Sequence, residues 1–482
     1  MSDKKEFVKD IADIREDFPR WYTDVVVKTE LVDYGPVKGT MVIRPYGYEI
    51  WERIQAELDA RFKATGHKNA YFPLLIPYSF LTKEAEHVEG FAPEVALVTH
   101  AGGEELAEKL VIRPTSETIF CDMYSKWVNS YRDLPMLLNQ WANVVRWEKT
   151  TRPFLRTSEF LWQEGHTLHA TEQEAEEETL KMLHVYAEFA KNILAMPVLI
   201  GRKSEKEKFA GGIATYSMEA MMQDGKSLQA GTTHFFGQNF TKPFNIRFLD
   251  RDGTHKYPYQ TSWGVSTRLI GALIMAHGDE RGLCLPPPVA PIQIIIVPIA
   301  QKKEGVLGKC RELKDKLTAL GVRAEVDESD NSPGWKFNQW EMKGVPCRYE
   351  MGPRDIEAGT VTVSRRDKFG EGAKSVISYG DAVSGAVALL ENIRGNMYNK
   401  ALAFMNAHIR KVTDLKELET AVNENCFALG HWCGERACED KIKELYQVTT
   451  RNMPFDQTGA DKGKCVCCGK KSKHVIYFGR AY

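Results

Sequence analysis

Residues 285–291, Leu-Pro-Pro-Pro-Val-Ala-Pro, admit neither a helix nor a central strand. Each proline locks its own φ, lacks an amide donor and pushes the residue before it out of the helical region. The chain on either side must therefore fold around separate cores. At 482 residues it is also longer than one hydrophobic core normally supports. We place a domain boundary here.

Downstream of the prolines, QIIIVPIA (293–300) reads as a buried strand, 301–320 as an amphipathic helix and RAEVDES (323–329) as the next strand, an alternation that predicts a small α/β domain. Upstream, helices near 46–65, 115–130 and 171–194 are separated by strand-like stretches, MLLNQWANVVRW (136–147) and FLRTSEFLWQ (154–163). Strands grouped around hairpins predict an antiparallel sheet. The acidic run TEQEAEEETLK (171–181) reads as a solvated helix face behind a Thr171 cap.

Six of the ten cysteines crowd into the last 57 residues; Cys121, Cys284, Cys310 and Cys347 stand alone and read as reduced core thiols. The segment KGKCVCCGKKSKH (462–474) is short of large apolar side chains and needs a staple to fold. The N-terminus, MSDKKEFVKDI, is charged, and no apolar run reaches the ~18 residues of a membrane helix. We expect a soluble cytoplasmic protein without membrane association, in which the thiols hold metal rather than form disulfides. With 64 Lys+Arg against 65 Asp+Glu, a nucleic-acid partner would have to be held by local basic surface. There is no internal repeat, P-loop or dinucleotide-binding glycine fingerprint, so any nucleotide site is of another kind.

The segment VVRWEKTTRPFLRTSEF (144–160) has two strand-like halves around a loop with Lys149 and Arg152. Arg146 would sit on the first strand, and Arg156 and Phe160 on the second, so that guanidinium and aromatic groups converge on one ligand. Residue types alone equally allow a hairpin with surface arginines. The pattern Arg146-x-Glu148, then Arg156-x-x-x-Phe160, resembles motif 2 of class II aminoacyl-tRNA synthetases. TSWGVSTRLIGALIMAHGD (261–279) resembles motif 3, with Arg268 near a helix start, where the helix dipole disfavours a cation unless an anion is near. The helix at 46–65 followed by GHKNAYFPLLIP (66–77), with Pro73, resembles motif 1 and implies a homodimer.

Three strings, EGFAPEVA (89–96), RPTSET (113–118) and FLWQEGHTLHAT (160–171), are similar to prolyl-tRNA synthetases in particular, and the similarity runs along the whole chain. The resemblance implies an ATP-dependent, Mg2+-requiring ligation of L-proline to tRNA(Pro) through a prolyl-adenylate. Arg146 and Arg268 would be catalytic, and Arg146, Glu148, Arg156, Phe160, Gln229, Thr232 and Arg268 would bind ATP. Thr115 and Glu117 would receive the proline amine and Arg146 its carboxylate. Phe91, Trp162, Phe209 and His234 would enclose the ring, and Ser262 and Trp263 would close the pocket. A secondary ammonium has two N–H donors, which a carboxylate and a hydroxyl can accept, and an aromatic box suits its apolar ring.

A class II synthetase for another amino acid, or a synthetase-like tRNA-binding regulator without catalysis, are the alternatives. A threonine enzyme would need a metal ligand set in the catalytic half, where His166 and His169 are the only close pair and read as structural. Only residues 161–260 separate motifs 2 and 3, so we expect no editing insertion. Glu148 and Asp224 are among several carboxylates near enough in sequence to be considered for magnesium.

The expected organisation is α+β and multidomain: an antiparallel-sheet class II catalytic domain (1–285), an α/β anticodon-binding domain (290–400) and a small α/β zinc domain (405–482). Within SPGWKFNQWEMKGVPCRYEMGPRDIEAG (332–359), Lys336, Glu350 and Arg354 are the anticodon candidates. The resemblance implies structural Zn2+ on Cys433, Cys438, Cys465 and Cys468, with Cys467 leaving the register open by one position and Cys426 spare. By the same analogy, the terminal Tyr482 reaches back towards the catalytic domain.

Overall fold

A computed structural model of the protein describes residues 11–81, 83 and 95–482. Its centre is an eight-stranded sheet. In chain order the strands are β1 (Lys68–Asn69), β2 (Met136–Val145), β3 (Glu159–His169), β4 (Leu199–Arg202), β5 (Ala214–Met221), β6 (Ser227–Gly237), β7 (Tyr259–Ser266) and β8 (Met453–Pro454). They lie side by side in the order β8-β4-β5-β6-β7-β3-β2-β1. All neighbours are antiparallel except the β1–β2 edge pair.

One face of this sheet is covered by helix α3 (Glu172–Asn192), which shares a core with α1 (Pro45–Ala64) and α4 (Arg268–His277), while α2 (Glu117–Trp127) packs with Leu168 of β3 and Phe236 of β6 in a separate cluster. Thr171 caps α3 in a reciprocal capping box with Glu174. Its buried residues Ala175, Thr179, Met182, Tyr186 and Phe189 recur every three or four positions; the last three meet Trp263 and Val265 of β7 in the main core, and Ala175 packs with Ala214 and Phe235. The acidic run is not wholly solvated. Glu178 is buried, 2.9 Å from His67 and ion-paired with Lys181, because position 178 continues the inward stripe begun at Ala175.

Beyond the prolines lies a five-stranded sheet in the order Ala324–Val326, Ile294–Pro298, Cys347–Met351, Thr360–Arg365, Lys374–Ser378, parallel across its first three strands and antiparallel across the rest. The proline run has carbonyls but few donors. Arg323 satisfies them, donating to Pro287 O (2.8 Å), Pro288 O (3.0 Å) and Ala290 O (3.0 Å). A 22-residue helix, Ala386–Ala407, then leads to a four-stranded sheet in the order Ile409–Val412, Phe427–Trp432, His474–Gly479, Thr449–Thr450, with its own core. The C-terminal residues thus build a sheet of their own and also lend β8 to the central one. Among the described residues no helix is long and apolar enough to cross a membrane.

Candidate active site

A cavity of ≈ 250 Å³ opens on the sheet face opposite α3, between the β2–β3 hairpin, β6, β7 and the start of α4. The hairpin is regular, from Met136 opposite Leu168 to Val145 opposite Glu159. Arg146 lies one step past β2 and continues the ladder, its amide 2.9 Å from Ser158 O. Its Nε donates to Pro114 O at 3.0 Å, and its guanidinium lies 5.6 Å from the Phe160 ring and 5.5 Å from that of Trp162. Arg156 precedes β3 rather than lying on it and pairs with Glu148 at 3.3 Å.

Arg268 opens α4, its Nε tied to Leu155 O at 3.0 Å. Burial, and the like charges of Arg156 and Arg146, lower its pKa to about 10 against the opposing pull of Glu148 and Glu219. A cation at a helix N-terminus beside two others is an arrangement that a polyanion would relieve.

At the far end of the cavity the charge is reversed. Arg113, fully buried, pins the Pro114–Ser116 turn through Phe72 O (2.6 Å), Asn143 O (2.8 Å) and Asn143 Oδ1 (2.9 Å). Thr115 Oγ1 then donates to Glu117 Oε2 at 2.5 Å, which leaves the hydroxyl lone pairs as acceptors, and Ser262 Oγ stands 3.5 Å from Glu117 Oε1. Glu117 is buried, and among the described residues no cation lies within ion-pair distance of it. Beneath it Glu164 accepts from Ser116 (2.5 Å), Gln140 (2.6 Å) and His166 (2.9 Å). Burial alone would raise the Glu164 pKa, but these bonds, led by His166, hold it below the usual carboxylate value.

The aromatic wall is formed by Trp162, Phe209 and His234, the last two with ring centroids 4.6 Å apart. Thr215 fixes this pair: its Oγ1 accepts from the Phe209 amide (2.9 Å) and lies 2.9 Å from His234 Nδ1. Burial, then the nearby His166, Lys203 and Arg146 charges, push the His234 pKa down to about 3, so the ring is neutral. Gln229 and Thr232 line the opposite rim.

Two expectations are corrected. Ser262 faces the cavity, but the Trp263 indole cannot, because consecutive strand residues point to opposite faces. The ring packs behind the sheet against Phe62 (5.0 Å) and His67 (5.0 Å), although Trp263 remains one of the residues bordering the cavity. Lys336 is 1% exposed, with Nζ bonded to Asp327 O (2.7 Å) and Gln301 (2.9 Å), so it braces the second domain's interior and presents no charge to a nucleic acid. Glu350 takes Arg348 (3.0 Å) and Lys374 (2.8 Å), while Arg354 is exposed on the helix Pro353–Ala358. Phe91 lies outside the described residues.

Family models match the chain in three stretches: the tRNA synthetase class II core domain (G, H, P, S and T) over residues 98–277, an anticodon binding domain over 293–386, and the prolyl-tRNA synthetase C-terminal domain over 415–482. Curated proline–tRNA ligases from Alkaliphilus oremlandii and Symbiobacterium thermophilum are 59% and 56% identical to it, each match covering both chains entirely. One from Acetoanaerobium sticklandii is 59% identical over 99% of each chain. The chain belongs to the prolyl-tRNA synthetase family.

Class II synthetases use ATP and Mg2+, and the cavity of this prolyl-tRNA synthetase family member has cationic and anionic ends to match. Asp224 is drawn off by Lys226 (2.9 Å) and by the Tyr482 hydroxyl (2.6 Å), which brings the last residue of the chain onto the catalytic sheet.

In the C-terminal sheet domain, the sulfurs of Cys433, Cys438, Cys465 and Cys468 all lie within 4.8 Å of one another, with Cys433 3.6 Å from Cys438 and 3.8 Å from Cys468. A tetrahedral tetrathiolate with Zn–S bonds of about 2.3 Å has S···S edges of about 3.8 Å, so the set fits zinc. It is Cys468 rather than Cys467 whose sulfur joins this group.

Sequence reasoning missed Lys203, Glu164 and Thr215. Lys203 sits in a run of charged residues, GRKSEKEK (201–208), with no sign that one of them turns inward, yet it is 4% exposed and reaches Gln229 Oε1 at 3.0 Å. Glu164 and Thr215 are marked only by their parity with Trp162 and Ser217 on strands whose facing had to be known first.

Proposed function

We propose that the protein ligates L-proline to tRNA(Pro) in two steps at this cavity, and the observation that carries the reading is Glu117. A buried carboxylate without a cation partner among the described residues is costly, and a ligand ammonium would neutralise it. Glu117 and the Thr115 hydroxyl would take the two N–H donors of proline, and Trp162, Phe209 and His234 would flank its ring.

The proline carboxylate then lies on the side of Arg146, which would hold it against the α-phosphate of ATP. Attack of a carboxylate oxygen on the α-phosphorus forms the acyl–phosphate bond and breaks the bond to pyrophosphate. The terminal ribose hydroxyl of tRNA next attacks the prolyl carbonyl and AMP leaves. No protein nucleophile takes part; the chain's residues position the reactants and spread charge. Phe160 and Arg268 would sandwich adenine, with Arg268 and the Arg156–Glu148 pair meeting the phosphates and Gln229 and Thr232 the ribose side. Magnesium, when bound with ATP, would neutralise the pyrophosphate as it departs.

Zinc on the four cysteines would be structural, since four thiolates close the coordination sphere. The protein would work as a cytoplasmic homodimer paired through the α1–β1 region. β1 is a two-residue sheet edge, and Tyr71 beside it is 73% exposed. A class II synthetase for another amino acid and a regulator without catalysis are both less favoured, since Arg146, Phe160 and Arg268 share one cavity with Glu117.

Charging of tRNA with radiolabelled proline tests the reading: Glu117→Gln should raise the proline KM roughly tenfold or more by removing the buried countercharge, with the ATP KM nearly unchanged. An unaltered proline KM in that variant contradicts it.

A further inference from the structure

Glu219 lies on β5 directly across from Gln229 on β6, and both are reached by Lys203, the first residue past β4. Lys203 Nζ is 3.0 Å from Gln229 Oε1 and 3.8 Å from Glu219 Oε1. The other Glu219 oxygen, Oε2, accepts from Ser227 (2.7 Å) and from the Arg451 guanidinium at 2.9 and 3.2 Å. Glu219, Lys203 and Arg451 are all buried. Oε1 accepts no hydrogen bond among the described residues and faces the Lys203 ammonium at 3.8 Å.

Arg451 comes from the C-terminal sheet domain, whose backbone and side chains fix it: its amide donates to Tyr477 O (2.7 Å) and Nη1 to Thr449 (2.8 Å). The docking is close. A Cβ on Gly201 would strike Met453 O at 2.1 Å, and one on Gly225 would strike Asn425 O at 2.0 Å. Neighbouring Asn452 donates to Leu199 O at 3.0 Å.

We infer that Arg451 and Glu219 are positioning residues for the nucleotide end of the cavity, acting through Lys203 on Gln229, so that the C-terminal domain sets the affinity for ATP. Arg451 occupies Glu219 and leaves Lys203 to Gln229. With Arg451 gone, the buried Glu219 carboxylate draws the ammonium across the 3.8 Å gap and off Gln229. Burial already lowers the Lys203 pKa, while Arg451, then Lys203, hold Glu219 at about 2 against its own burial, as expected of charges exchanged within one closed group. The inference rests on the function proposed above, in that Gln229 must serve ATP.

Pyrophosphate exchange at varied ATP and saturating proline tests it on the full chain. Arg451→Met should raise the ATP KM roughly tenfold while the proline KM stays within about twofold, the loss of a charged hydrogen bond being felt only at the nucleotide. Lys203→Met, at a residue that contacts Gln229, Glu219 and Glu207 of the catalytic domain, should give the same signature. Because both act on one contact, the double variant should be no worse than Lys203→Met alone. Arg451→Lys should recover part of the effect, and it replaces Arg451→Met if the latter does not fold by circular dichroism. A folded Arg451 variant with an unshifted ATP KM, or a double variant in which the two effects multiply, overturns the inference. Wild-type protein without proline-dependent exchange would instead overturn the proposed function.

Discussion

Glu117 and Arg146 bring opposite charges to one cavity, and what each does is separable by measurement. Glu117→Gln should act on proline binding, as above. Arg146→Ala removes a charge aimed at the α-phosphate and should lower proline-dependent exchange by about a hundredfold or more, as expected for a group that stabilises the transition state. Exchange within tenfold of wild type would contradict its role. At this scale the sequence was informative where local strings fix local geometry, as with Thr115 and Glu117, two residues apart at the head of α2. It failed where facing matters: Ser262 and Trp263 are adjacent in the chain yet lie on opposite faces of β7. Lys336 failed for another reason, since nothing in SPGWKFNQW says that its ammonium meets an inward carbonyl, Asp327 O.

Among the elements, the β2–β3 hairpin was legible from its two apolar halves, although β3 begins at Glu159 rather than near 154 because Arg152 and Arg156 close a tight turn first. Gly165 shows how the element is built. Opposite Trp263 on the core face, it carries no side chain because a Cβ there would lie 2.1 Å from the indole. Gly165→Ala should therefore destabilise the protein by about 1–3 kcal/mol through overpacking, read as a lower urea midpoint with an unchanged slope. An unmoved midpoint would show that the indole yields freely. β8 was not legible at all: two residues, Met453 and Pro454, join a sheet some 250 positions earlier, and no local periodicity announces a pairing at that separation.

The whole molecule holds the C-terminal domain against the catalytic sheet through β8, Arg451 and Tyr482, so loss of its metal should be felt at a distance. A strong chelator should lower the melting temperature and raise the ATP KM together; a raised KM restored by zinc alone would fit, and full insensitivity would not. Acid should also act globally. Burial is the leading cause that lowers His169 and His277 to about 4 and His234 to about 3, from a usual 6.5. The unfolded chain then binds protons that the folded chain refuses, so stability falls as pH drops below 6.5, on the order of 2 kcal/mol per histidine by pH 5. Glu219, held at about 2, adds a further loss below pH 4.5. The melting temperature should be clearly lower at pH 5 than at pH 7.5, and a flat profile would contradict the burial of these rings. The break in regular structure at Pro286–Pro288 could be read from the sequence because proline acts locally; the contacts of the C-terminal residues with the catalytic sheet could not, being made by single side chains from distant segments. The most direct test of the account is ATP–pyrophosphate exchange measured with each of the twenty amino acids in turn. The account predicts exchange that depends on proline above all others, and faster exchange with another amino acid, or none with proline, would contradict it.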